Sequence, residues 1–127
     1  MCEHWNECAT LARGNPFYWR WSEDDALLTR RGPDLPVVGH FQRAEYEAMI
    51  RRVNENGAAG TPLGSRPDGN VPDDSIGALL TRIRGGDSAI RPLCAHLAAV
   101  AYSSGLLTYE DRGRGAGRGL WLYPAEC

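Results

Sequence analysis

Apolar residues recur at helical period in three places along the chain. Phe41, Tyr46, Met49, Ile50 and Val53 form one stripe, stopped by Asn56-Gly57. Ile76, Leu79, Leu80 and Ile83 form a second, capped by Asp73-Asp74-Ser75 and ended by Gly85-Gly86. Ile90, Leu93, Cys94, Leu97, Val100 and Ala101 form a third, which stops at Ser104-Gly105 and carries Pro92 in its first turn, where a missing N–H is tolerated. The pattern predicts helices over residues 41–56, 73–84 and 88–104. The period then shortens to that of strands over 106–111 and 120–123, joined by the glycine-rich, arginine-studded segment 112–119, as in a β-hairpin with a long basic tip.

The N-terminal 40 residues are less regular. Trp5, Cys8 and Leu11 at intervals of three predict a short helix over 3–13, broken by Asn15-Pro16. Residues 17–21 alternate, with Phe17, Trp19 and Trp21 on one face packed toward helix 41–56 and Tyr18 and Arg20 facing outward, as on a half-buried strand. Ser22 followed by Asp25 reads as a variant capping box, which predicts a helix over 23–31. Residues 57–72 hold four Gly and three Pro with little that is apolar, and read as a long exposed loop. The expected whole is one α+β domain: an N-terminal extension (1–40), a first core helix (41–56), a loop (57–72) and a helix-helix-hairpin unit (73–124).

Composition narrows the classes. At 127 residues the chain suits a single core, and 43% hydrophobic with 24% charged residues excludes wholesale disorder, collagen and coiled coil. No apolar run reaches the roughly 18–20 residues of a membrane span, and the first residues lack the layout of a signal peptide, so a cytoplasmic protein without membrane contact is expected. All 14 basic residues are Arg, which codon bias in a GC-rich prokaryotic or phage sequence accounts for. Residues 1–80 hold 8 Arg and 12 acids (−4), while 81–127 hold 6 Arg and 4 acids (+2), so the basic part is C-terminal.

Catalytic motifs are missing: there is no nucleophile elbow, P-loop, His-Glu-x-x-His helix or dinucleotide glycine fingerprint, and the glycines at 113, 115, 117 and 119 have the wrong spacing for one. Asp24-Asp25 and Asp73-Asp74 precede helical segments, where acids cap, and His40 is a lone base without a visible partner. No enzyme activity and no cofactor are expected. Cys2-x-His4 and Cys94-x-His96 supply the soft ligands of a zinc site but not its spacing, so the favoured reading is a buried Cys94 beside an exposed His96, with all four cysteines free thiols.

The stretch from Leu97 through Tyr102 to Gly105-Leu106-Leu107, followed by Thr108-Tyr109-Glu110-Asp111-Arg112-Gly113-Arg114-Gly115, resembles the end of the recognition helix and the wing of the winged helix-turn-helix family of bacterial and phage regulators. The resemblance covers about the last 55 residues as a pattern of residue types. It implies a double-stranded DNA partner, with Ser88, Ala89, Ile90 and Arg91 facing base edges and phosphates, and Arg112, Arg114 and Arg118 on the backbone or in the minor groove. It also implies a homodimer, with the N-terminal elements as the dimer surface. The alternative is a non-enzymatic protein-interaction module, a phage or mobile-element inhibitor or adaptor, that uses the same scaffold and contacts its partner through an acidic N-terminal face with exposed aromatics, bearing Tyr18 and Arg20.

Overall fold

A computed structural model describes residues 5–11, 13–65, 71–113 and 119–125. It is a mixed α+β fold with three helices and two antiparallel sheets. Strands β1 (Asn6–Ala9), β2 (Pro16–Trp21), β3 (Ala26–Arg30) and β4 (Val37–Gln42) form a four-stranded meander in sequence order. Helix α1 (Arg43–Asn56) follows, then the two-residue strand β5 (Thr61–Pro62), α2 (Ile76–Ile83), α3 (Cys94–Ser103), β6 (Leu107–Asp111) and β7 (Leu120–Pro124). The second sheet has the order β5-β7-β6.

Two of the helices expected near the N-terminus are strands. Residues 6–9 pair with β2, Asn6 opposite Trp19 and Cys8 opposite Phe17, and alternate half-buried with exposed side chains. Over a window this short a spacing of three fits a strand and its turn as well as a helix, and pairing with the aromatic strand decides. The supposed cap at Ser22 is a hairpin turn: Ser22 N donates to Ala26 O, Ala26 N donates to Ser22 Oγ, and Asp25 has φ +65°, the one described non-glycine residue with positive φ. Asp tolerates that left-handed backbone better than most residues. Its carboxylate forks onto Arg43 at 2.5 and 2.6 Å rather than capping a helix. The freed residues 26–30 then run as β3, placing Leu27 opposite Trp21 and Phe41, and Thr29 opposite Trp19 and Gly39.

The helices expected farther along form, with one change. Ser75 caps α2 by accepting from Ala78 N at 3.1 Å. The segment beginning at Ser88 opens as a 3₁₀ helix, Ser88–Leu93, and becomes α-helical only at Cys94, because Pro92 lies in the tighter stretch. The glycine-rich loop is only partly exposed: Thr61, Pro62 and Leu63 are buried, and β5 edges the second sheet. There Gly77 N donates to Leu63 O, and a Cβ on Gly77 would lie 1.9 Å from Gly64 O, so only glycine lets α2 come this close to the strand.

One core joins these elements. Phe17, Leu27 and Phe41 from the meander meet Met49 and Val53 of α1, Ile76 and Leu80 of α2, Leu97 and Val100 of α3, and Leu107 and Leu122 of the hairpin. Among the described residues no helix is long and apolar enough to cross a membrane.

Candidate functional site

The meander settles the fate of α3. Its inner face, carrying Cys8, Phe17, Leu27, Thr29 and Phe41, lies against the helix. The Phe17 ring stacks on His96 with centroids 4.3 Å apart and planes 11° apart. Thr29 Oγ1 and His96 Nδ1 share a hydrogen bond of 3.0 Å, and the Cys8 thiol donates to Ala99 O at 3.7 Å. Gly39 makes room for this contact, since a Cβ there would lie 2.2 Å from Thr29 Oγ1. The consequence is that Leu97, Ala98, Ala99, Val100 and Ala101, five consecutive residues and therefore all sides of the helix, are 0–1% exposed.

His96 is thus buried (6% exposed), not the surface residue expected. Burial, aided by the Arg31 charge, pushes its pKa down to about 4, so the ring is neutral near pH 7. The Cys94 thiol is pushed up to about 12 by burial. Cys2 and His4, the other half of the considered zinc set, lie outside the described residues, within which no three metal-ligating side chains cluster.

The meander is also fastened at its last strand. Gln42 N donates to Glu45 Oε1 at 2.9 Å, and Arg84 forks onto Glu45 at 2.7 and 2.9 Å while donating to His40 O at 2.5 Å. Glu45 is 4% exposed. This ion pair takes up strand-edge groups that another strand would otherwise meet, so the C-terminal half of β4 is closed to further pairing. His40, the lone candidate base, is exposed and contributes its carbonyl here.

The residues expected on DNA are scattered in role. Ile90 is 2% exposed and belongs to the core, which removes it from any base-facing surface. Arg91 is half-buried, its Nε 3.4 Å from Thr81 Oγ1, and Ala89 is exposed behind Asp87, whose carboxylate accepts from Ala89 N. Arg112 stands at the base of the hairpin, 4.1 Å over the Trp121 ring, donating to Glu110 Oε1 and to the Tyr123 hydroxyl. Arg114, Arg118 and the Ser88 side chain lie outside the described part.

The outer face of the meander is the other candidate. Phe17, Trp19 and Trp21 alternate with Tyr18 and Arg20, so the latter pair faces away from α3, and cross-strand register adds Leu28 and Arg30. Trp5 covers both cations: the Arg30 guanidinium carbon is 4.1 Å and that of Arg20 5.2 Å from its ring centroid. Trp5 and Arg30 were assigned to helices that do not form, so their meeting is not apparent from the sequence. Only the alternation of Trp5 and Glu7 with Asn6 and Cys8 hinted at it.

A shallow groove of about 650 Å³ on α1, lined by Arg43, Tyr46, Glu47, Ile50, Arg51 and Leu106 among others, mixes opposite charges with apolar surface. Against family models, curated proteins and solved structures the chain finds no match.

Proposed function

We propose that this chain is a non-enzymatic binding module on a winged-helix-like scaffold, in which the helix that such scaffolds lay in the DNA major groove has become internal. Two features support the scaffold: the succession of helix, short strand, two helices and hairpin over α1 to β7, and the pairing of the hairpin's second strand with β5. The observation that carries the functional reading is the cover on α3. A recognition helix must offer one bare face to a groove about 12 Å wide. Here residues 97–101 are sealed on every side, and the preceding turn contributes Ile90 to the core.

The outer face of the meander is the contact surface in this reading, centred on the half-buried Tyr18 and Arg20. Fluorescence polarisation of a labelled mixed-sequence DNA duplex across a salt series tests it. The expected result is no steeply salt-dependent binding, and no difference between the native chain and the triple variant Arg112→Ala, Arg114→Ala, Arg118→Ala. Steep binding that the triple variant loses, with a salt slope smaller by about one per phosphate contact removed, would return the function to duplex DNA through the hairpin tip.

A further inference from the structure

We propose that the outer face of α1 docks on the same face of a second copy of this chain, the two helices running antiparallel about a two-fold axis between Glu47 and Arg51. This contact lies on a different element from the meander and does not rest on the binding-module reading above.

The charge order points to that occupant. Arg43, Glu47, Arg51 and Glu55 stand four residues apart along α1 and are all exposed, so they form one ridge whose signs read plus, minus, plus, minus. Read from the other end, the order is minus, plus, minus, plus. A second copy laid antiparallel therefore sets Glu47 against its Arg51 and Arg51 against its Glu47, and brings the outer residues, Arg43 and Glu55, into the same relation. Ridges of this spacing align when two helices cross at about 50°, the commonest packing of helices in globular proteins. A parallel arrangement in register opposes like charges, and one shifted by a turn leaves a charge unpaired at each end and does not close at two copies. Because the ridge is neutral as a whole, it offers no net attraction to a polyanion or a polycation.

The inner charges are not used within the chain. Such an alternation can serve a lone helix through ion pairs between successive turns. Here the described salt bridges join Arg43 to Asp25, Arg84 to Glu45 and Arg112 to Glu110, while the side chains of Glu47, Arg51 and Glu55 take part in no salt bridge or hydrogen bond among the described residues. Arg43 already forks onto Asp25 and lies over the Trp21 ring, so the outer pair adds less than the inner one, which the two-fold axis makes twice.

Apolar surface beside the ridge supplies what exposed ion pairs alone do not, since each of those contributes little in water. The groove along the ridge, about 650 Å³ in volume, is lined by Tyr46, the half-buried Ile50 and Leu106, which is 43% exposed on the turn after α3. A second copy over the ridge removes that apolar surface from water. A contact of one helix face and its flank is small, which makes the dimer reversible and salt-sensitive.

Sedimentation equilibrium of the full chain tests the contact, with reductant present to keep the cysteines as thiols. A monomer–dimer equilibrium with a Kd on the order of 100 μM is expected in dilute buffer, and a weaker one at about 1 M salt, where exposed charges are screened beyond about 3 Å. Glu47→Arg and Arg51→Glu each set like charges across the axis twice, and each should weaken dimerisation by about tenfold or more. The variant carrying both changes restores opposite signs and should dimerise as the native chain does. So should an equimolar mixture of the two single variants, which complement each other; recovery in either arm also shows that the single variants are folded. Leu106→Ser should weaken the dimer by about tenfold, whereas Asp34→Arg, the same change of net charge in the loop between β3 and β4, should leave it unchanged. A chain that stays monomeric to about 1 mM, a dimer that Glu47→Arg leaves intact, or single variants whose mixture associates no better than either alone would each overturn the assignment. None of these outcomes alters the duplex-DNA titration, so the binding-module reading stands or falls separately.

Discussion

The two faces of the four-stranded meander place an aromatic ring against a nitrogen-bearing side chain in nearly the same way, and to opposite effect. On the inner face Phe17 stacks on His96 at 4.3 Å; on the outer face Trp5 lies over Arg30 at 4.1 Å. The inner pair is sealed and its imidazole is neutral, so the contact acts as packing and hides α3. The outer pair keeps a permanent charge at the surface, where a flat ring holds it in place without neutralising it. Water decides between the two: a ring contact at a similar distance closes a core where water is excluded and holds a cation near the surface where it is not.

The largest expected effect breaks the inner face. Phe17→Ala removes a fully buried ring from between the meander and α3 and should cost about 4 kcal/mol, read from the urea midpoint at unchanged slope. The same variant also uncovers part of α3. If duplex DNA then bound with steep salt dependence, the cover would be what separates this chain from a groove-reading one.

Acid attacks the same face without mutation. His96 has a pKa of about 4 in the fold against an ordinary value of 6.5, so the unfolded chain takes up a proton in that window and the folded chain does not. Its contribution is therefore complete above pH 6.5, and stability falls as the pH drops from 6.5 toward 4. The full loss is about 3 kcal/mol, from about 1.4 kcal/mol per pKa unit. Urea titrations at stepped pH should show this extra loss in the native chain and not in His96→Gln. Parallel curves for the two proteins would mean that the ring is already hydrated.

Arg84→Ala leaves Glu45 buried without its cation and His40 O without its donor. A loss of about 2–3 kcal/mol is expected, at the low end for a broken buried pair because Arg84 itself is 30% exposed. The same change reopens the end of β4. Sedimentation should then show more self-association in the variant than in the native chain, if the ion pair is what keeps that edge closed.

How much of this was legible depends on the length over which a pattern repeats. The three helical stripes extend far enough for period alone to identify them, and they form, with Pro92 adding a 3₁₀ entry to α3; the hairpin strands, only five residues each, are marked by the glycine-rich segment between them. The meander's strands run four to six residues, and there local signals misled: Ser22 and Asp25 have the spacing of a helix cap and make a tight turn instead. From that one misreading came the loss of β3, and with it the positions of Thr29 beneath His96 and Arg30 beneath Trp5. The burial of His96 had a different obstacle. On an isolated helix it sits about 200° round from Cys94 and would face solvent, and only a second layer packed on that side buries it. A helical wheel cannot announce a layer contributed by residues about 70 positions earlier in the chain.

The smallest expected effect belongs to the outer face and sharpens the contrast most. Trp5→Ala removes a half-buried ring whose described partners are two guanidinium groups at the surface. A cation–π contact in such a setting contributes about 0.5–1 kcal/mol, so the melting temperature should drop by only a few degrees. A loss as large as that of Phe17→Ala would show that Trp5 seals a second core, and the outer face would then be packing rather than display.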